Sequence, residues 1–425
     1  MGKIPHASGA AARSGADLDS ALGLRPTDVI GAFFLAGLGF MLAGAIAAAA
    51  GSALGWEWTR WLALHLVLLG GVSQLVIGAS QFFAGAFLAT DPPPRALVRF
   101  QLGAWNGGVV VLAAAVPAGA EPLADLGVAL LLSGLAGHWL GLRRIRRRSL
   151  QRRPFATRWY AAGAGFLAVG IVAGALLVRG EVWSHGDLLA AHVSLNLAGW
   201  LGTAIVGTLH TFYPSLARTR LAYPRLERWT FALWVGGVAA LALGYGLALA
   251  AVAVAGWASL ALAGLLLGAN IARCAAAATR PLSLPARLLG VAQALLVAGL
   301  AVALAGALAD GTDAIFVGSS RVALAALILA GWVGLTVLGS LLHLLAVVVR
   351  VRDLSRPAPA PRPLADAGLT ALAAVSVCAL ALAQGPAPEA LAGPATIALA
   401  VAYLMLAAKV LRLAGRVALD ARPRL

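Results

Sequence analysis

The chain has 425 residues, of which 61% are hydrophobic and only 11% charged, and this composition excludes a soluble globular protein. The formal net charge of +16 would suggest nucleic acid as a partner of a soluble protein, but here the basic residues lie in short segments between long apolar runs. They therefore indicate membrane topology, with the lipid bilayer as partner and no nucleic acid. Cys274 and Cys378 lie singly in apolar runs, which excludes a disulfide framework.

Apolar runs along the chain predict an all-α polytopic membrane protein with twelve transmembrane helices. Residues 1–27 have mixed charge and no apolar core of a signal peptide, so we expect a disordered cytoplasmic tail there. A single transmembrane domain is expected over 28–415, followed by a cytoplasmic tail over 416–425. Most of the spans exceed the roughly 20 residues that a helix needs to cross the hydrocarbon. The predicted spans are 29–51, 61–89, 97–118, 122–142, 159–179, 187–215, 229–251, 254–278, 288–309, 321–349, 364–384 and 389–413.

Lysine and arginine are distributed very unevenly between the two sides of these spans. Alternate connections, together with both termini, hold 29 of the 32 basic residues. The other side holds only Arg60, Arg179 and Arg321. Because cytoplasmic segments carry the excess of Lys and Arg, both termini are predicted to be cytoplasmic in a bacterial plasma membrane.

Three of the predicted spans share a glycine pattern. The pattern Gly-Trp-x-Gly-x4-Gly occupies 199–207 in span six and 331–339 in span ten, and 65–83 in span two echoes it. These spans are four apart, which predicts three four-helix units around a pseudo-threefold axis, with the three related helices at inner positions. The plan of two six-helix halves found in many transporters fits less well, because the longest basic connection follows span four.

Two histidines are predicted near the outer face. His65 begins span two and His192 begins span six at a similar depth, and Asn196 lies one turn below His192. Imidazole ligates both haem iron and copper, so His65 and His192 could hold one metal or one haem iron, with Asn196 as a hydrogen-bonding partner. The alternative is that each ring hydrogen-bonds a neighbouring helix or reaches the headgroups.

Three further histidines, His138, His210 and His343, come late in spans four, six and ten, near the cytoplasmic face. Contact with interfacial water is the simpler explanation for them, and an inner metal site built from three helices is the alternative. Uncharged polar residues within the spans are predicted to form interhelical hydrogen bonds rather than a pathway. They are Gln74, Gln81, Gln101, Asn106, Asn270 and Gln293.

Glycines recur at matching places in spans two, six and ten, namely Gly78, Gly207 and Gly339. They could permit close backbone approach, and they could equally make room for a planar macrocycle. No acidic residue lies securely in mid-membrane, which argues against a carrier driven by protons or sodium ions.

The segments His65-to-Phe83 and His192-to-Arg220 resemble bacterial twelve-helix membrane proteins related to subunit I of haem–copper oxidases and to NnrS proteins. The resemblance depends on His65-Leu-Val-Leu-Leu-Gly70 and on His192-x-x-Leu-Asn196-x-x-Gly-Trp-x-Gly202. It implies the haem–copper oxidase subunit I fold and a haem or copper cofactor. It also implies association with a copper nitrite reductase or a multicopper oxidase.

Several expected ligands of that family are missing from the sequence. Ser194 stands where a second span-six histidine is expected, and Gln81 lies where span two would carry another. Span seven has no histidine. We therefore expect no oxygen reduction at a binuclear centre, but one haem or one copper in electron transfer, metal handling or nitrogen-oxide metabolism. A secondary transporter with a cavity lined by His192, Asn196, Thr203 and Gln74, or a cofactor-free scaffold, remains open.

Overall fold

A computed structural model of the chain describes residues 26–150, 156–180, 186–352, 362–385 and 387–419. Within these residues the protein is helical without strands, and twelve helices are long and apolar enough to cross a membrane, so the predicted all-α polytopic membrane fold is confirmed. We number them α1 to α12. Their bounds are Thr27–Leu54, Thr59–Leu88, Arg95–Ala115, Glu121–Arg148, Thr157–Val178, Leu188–Ala217, Leu226–Gly246, Ala250–Ala276, Leu284–Ala309, Gly318–Val351, Pro363–Leu382 and Glu389–Leu419.

The ends of some helices differ from the predicted spans. Helix α4 continues to Arg148 and carries five arginines that were predicted to lie in a connection. Arginine is a good helix former, and positive charge at a helix C-terminus interacts favourably with the helix dipole, so the helix extends beyond its apolar part. Helix α12 continues to Leu419, beyond the predicted end of the transmembrane domain at 415. Most of the predicted N-terminal tail and residues 420–425 lie outside the described residues.

Successive helices pack antiparallel through small residues. In α3 and α4, a Cβ on Gly108 would lie 2.8 Å from Leu131 Cγ, and one on Gly127 would lie 2.8 Å from Leu112 Cγ. Such close approach is how membrane helices gain contact area without a hydrophobic driving force. We call the end of the bundle where α1 begins and α4 ends the basic end, and we call the other end of the bundle the opposite end.

Helices α2, α6 and α10 each contain a long π-helical segment. The segments are His65–Val72, Ser194–Gly202 and Ala325–Gly334, of 8, 9 and 10 residues. Elsewhere π-helix appears mostly as single turns, often at functional sites, so three long segments at matching places are unusual. Helices α6 and α10 are also the most buried of the twelve, with 67% and 61% of their most apolar windows buried. The three helices predicted to be related therefore share a local structure, although α2, at 44%, is less buried than α9, at 50%.

A carbonyl group in each π segment accepts a hydrogen bond from an aromatic side chain of a surrounding helix. An unpaired carbonyl is costly in lipid, so these bonds help to stabilise the widened segments. The three bonds are Trp105 Nε1 to Leu69 O at 3.1 Å, Trp234 Nε1 to Ala198 O at 3.0 Å, and Tyr403 OH to Ala330 O.

Glycines further along the same helices receive bulky side chains from the preceding helix. A Cβ on Gly78, Gly207 or Gly339 would lie 2.7 Å from Phe33 Cβ, 2.3 Å from Trp159 Cγ, or 2.3 Å from Leu289 Cδ1. Phe33, Trp159 and Leu289 are fully buried. We call these three contacts the glycine sockets. Side chains of α1, α5 and α9 fill the space beside these glycines, so it is not available to a macrocycle.

Candidate functional site at the opposite end

His65 is the first residue of the π segment in α2. Its Nδ1 atom lies 2.8 Å from the carbonyl oxygen of Trp61, and its ring stacks on the Trp61 indole with centroids 4.2 Å apart. A carbonyl oxygen can only accept a hydrogen bond, so Nδ1 carries the proton. The lone pair of Nε2 is therefore available as a ligand.

His192 lies one turn into α6 and has the same kind of backbone partner. Its Nδ1 atom is 2.9 Å from the carbonyl oxygen of Gly170 in α5, which again places the proton on Nδ1. The Asn196 amide donates to the His192 carbonyl at 2.7 Å and lies 3.3 Å from Nδ1. Because Nδ1 already donates to Gly170, it cannot also accept from Asn196. Asn196 therefore supports the backbone of His192, and the bond to Gly170 O orients the ring.

Two glycines of α5 that were not among the predicted site residues make room for His192 and Asn196. A Cβ on Gly170 would lie 2.6 Å from Asn196 Nδ2, and one on Gly174 would lie 2.8 Å from His192 Cε1. The spacing of Gly170 and Gly174 is the small-xxx-small pattern of close helix packing, which is a signal that could have identified them. Any larger residue at either position would displace the predicted site.

His65 of α2 and His192 of α6 both lie toward the opposite end of the bundle. A histidine that ligates a metal typically donates its second ring N–H to a carbonyl or a carboxylate, which fixes the tautomer and the ring orientation. Both rings have that partner here. Each ring therefore has an oriented Nε2 lone pair that a metal ion could bind.

The other three histidines have separate surroundings. His138 is fully buried, with its Nε2 atom 3.5 Å from Ser80 Oγ. His210 bonds through Nδ1 to Val206 O at 2.8 Å and stacks on Trp159. His343 packs edge-on against Phe212. Within the described residues, no three His, Cys, Asp or Glu side chains form a group that could hold a metal, so an inner three-helix site has no support there.

Five of the six polar residues form the interhelical hydrogen bonds that the sequence predicted, including Gln293, which accepts from Trp332 of α10. Asn270 instead bonds the backbone of Tyr223 in the connection before α7. Gln74 Nε2 donates to Asn106 Oδ1 at 2.8 Å, and Gln81 Nε2 donates to Gln101 Oε1 at 2.9 Å. Gln101 Nε2 in turn donates to Gly137 O at 2.9 Å. These bonds connect α2, α3 and α4.

Replacing Gln101 by methionine, which keeps an unbranched side chain, should destabilise the protein by about 1–2 kcal/mol, because the buried Gln81 amide loses one of its two acceptors and keeps only Ile77 O. The double variant Gln81→Met, Gln101→Met should be more stable than the single variant, since neither polar group then remains buried. Thermal unfolding in detergent measures both. Simple additivity of the two substitutions would show that the bond between the amides contributes nothing.

A cavity of about 70 Å³ lies between α2, α6 and α10, and neither His65 nor His192 lines it. Pockets that hold drug-sized ligands have volumes of roughly 300–1,000 Å³. The volume of this cavity lies below that range, but because the cavity is separate from His65 and His192 it does not distinguish a haem from a single metal ion at that pair. A scan against protein families and a search of curated proteins found no match to this chain.

Proposed function

We propose that this protein binds one copper ion through the Nε2 atoms of His65 and His192. The observation that carries the proposal is the matched pair of bonds from Nδ1 to a backbone carbonyl, which leaves both Nε2 atoms as oriented donors. Imidazole is a common copper ligand, and cuprous ion accepts two nitrogen donors, whereas structural zinc sites use four ligands.

The proposed architecture is that of haem–copper oxidase subunit I, with three four-helix units around a pseudo-threefold axis. The matching π segments, the three carbonyl contacts and the glycine sockets support this assignment. Helices α2 and α6 also both end on a left-handed residue, Ala89 and Arg218, each followed by a matching backbone bond. A left-handed residue at the same place in both helices is expected if the units are related. Helix α10 differs, because it continues as a helix to Val351.

The proposed role is copper handling or electron transfer beside a partner such as a copper nitrite reductase or a multicopper oxidase. The distribution of arginine supports cytoplasmic termini. That orientation places His65 and His192 near the extracytoplasmic face, where a soluble copper protein would meet them. A cofactor-free scaffold is the second candidate, because side chains fill most of the space between the inner helices.

The test is copper content of the purified full-length protein from copper-supplied cells. We expect about one copper per chain, and loss of that copper in the double variant His65→Ala, His192→Ala. The control is His343→Ala, which should retain the metal. Gly174→Ala should weaken copper binding because its Cβ would displace the His192 ring, whereas Gly165→Ala, which meets nothing within 4 Å, should not. Equal copper in the wild type and the double variant would refute this site, and a metal-free wild type would favour the scaffold.

A further inference from the structure

The cavity between the inner helices lies in the half of the bundle toward the basic end. Its walls come from the later parts of α2, α6 and α10, between Val72 and Phe83, Ala204 and Phe212, and Thr336 and Leu344. Phe34 of α1 and Tyr160 of α5 complete them. Aliphatic and aromatic side chains make up most of this lining, and the cavity is separate from the histidine pair.

Three of the five hydroxyl groups in the lining, those of Ser80, Tyr160 and Thr208, donate their hydrogen to the protein, whereas Thr336 Oγ1 accepts a bond from Gln293 Nε2 at 3.4 Å. Ser80 Oγ donates to Ile77 O at 3.1 Å, and Thr208 Oγ1 donates to Ala204 O at 2.7 Å. The Tyr160 hydroxyl lies 2.9 Å from Thr208 Oγ1, and because Thr208 donates elsewhere, Tyr160 is the donor of that bond. A buried water needs two to four polar partners, and among the lining hydroxyls only those of Thr336 and Ser340 keep a hydrogen to offer it.

The size of the cavity limits its occupant. A buried water needs about 10–15 Å³ of such volume, so the roughly 70 Å³ here corresponds to a few water-sized units. That space excludes porphyrins, sugars and amino acids. Apolar cavities of comparable kind stay dry and bind small apolar guests such as xenon.

We propose that this cavity is a binding site for a small, uncharged, apolar molecule of the size of a dissolved gas, with two or three atoms. Such a molecule partitions into the lipid and gains dispersion contacts from a wall of close-packed carbon atoms. Phe83 and Phe212, whose ring centroids are 5.1 Å apart, both contribute to that wall. This site is independent of copper binding at His65 and His192.

Xenon is the probe for the test, and crystals of the full-length protein are exposed to it under pressure. The expected result is an anomalous scattering peak inside the cavity. The peak should be lost in Ala79→Leu, which fills the cavity, and retained in Ala301→Leu, a matched substitution at an exposed position of α9. Leu209→Ala, which enlarges the cavity, should retain the peak and increase its height.

Three outcomes would overturn the proposal. They are ordered water in the cavity, xenon only at lipid-facing sites, and a xenon peak that is unchanged in Ala79→Leu. Leu209→Ala changes the xenon occupancy in the opposite direction to Ala79→Leu. It therefore tests the proposal even if Ala79→Leu fails to fold.

Discussion

Replacing Gly207 by alanine is expected to destabilise the protein by about 2–3 kcal/mol, near the upper range for inserting one extra carbon into a packed core. The new Cβ would lie 2.3 Å from Trp159 Cγ and 2.5 Å from its Cβ. Trp159 is fully buried between His210, whose ring centroid is 5.6 Å away, and Phe231, at 4.9 Å. Since the indole is held on both sides, α5 and α6 must separate to admit the methyl group.

The midpoint of thermal unfolding in detergent measures this effect, with two matched glycines as controls. Gly165 of α5 and Gly236 of α7 have nothing within 4 Å of an added Cβ. Alanine at either position should be neutral or stabilising by up to about 1 kcal/mol, because alanine is the better helix former. If Gly207→Ala unfolds at the same temperature as Gly165→Ala, the socket does not hold these helices together.

A second comparison isolates the contact itself. In a Trp159→Gly background neither the Cβ nor the indole that the new methyl group would meet is present, so Gly207→Ala should then cost little. The difference between the two backgrounds is the coupling energy of the socket, and residues in direct contact typically show about 0.5–3 kcal/mol. A coupling near zero would show that Gly207→Ala acts through some other contact.

Much of the fold could be predicted because the bilayer restricts spanning segments to helices of a minimum length. The repeated glycine pattern also identified the three helices that later proved to share π segments. The π segments themselves could not be read from the sequence. A π-helix and an α-helix of similar composition differ only in which carbonyl each N–H reaches, and His65–Val72 contains residues that suit either.

The sequence predicted how far along its helix each histidine lies, but not toward which neighbouring helix its side chain points. Counting residues from the helix ends placed His65 and His192 in one layer, and His138, His210 and His343 in another. Such counting could not show that the rings of His138, His210 and His343 face different neighbours, because the rotation of each helix about its axis depends on packing. The partner of His192 was also hidden, since the carbonyl of Gly170 belongs to the backbone of another helix.

Replacing Trp200 by alanine should destabilise the protein by about 3–5 kcal/mol, the usual cost of removing a buried aromatic ring and leaving a cavity. Trp200 is 1% exposed and lies in the π segment of α6. Its Nε1 atom donates to Ser73 Oγ of α2 at 2.9 Å, so the same side chain both fills the interior and connects two inner helices. Urea or SDS titration should show the loss, while Trp56→Ala, at a side chain that is 42% exposed, should change stability little.

Replacing Trp200 or Trp332 by phenylalanine should lower the free energy of unfolding by unequal amounts, although the two residues occupy equivalent positions in α6 and α10. In Trp200→Phe, Ser73 Oγ loses a donor but still donates to Leu68 O, so the cost should stay near 1 kcal/mol, apart from the lost volume. In Trp332→Phe, the buried Gln293 Oε1 loses its donor, Trp332 Nε1 at 3.1 Å, and an unsatisfied buried acceptor costs about 1–3 kcal/mol. Gln293→Met should recover most of the stability of Trp332→Phe, and Ser73→Ala should recover none for Trp200→Phe. Equal losses in the two variants would mean that ring volume, and not the hydrogen-bond partner, determines stability at this position of the repeat.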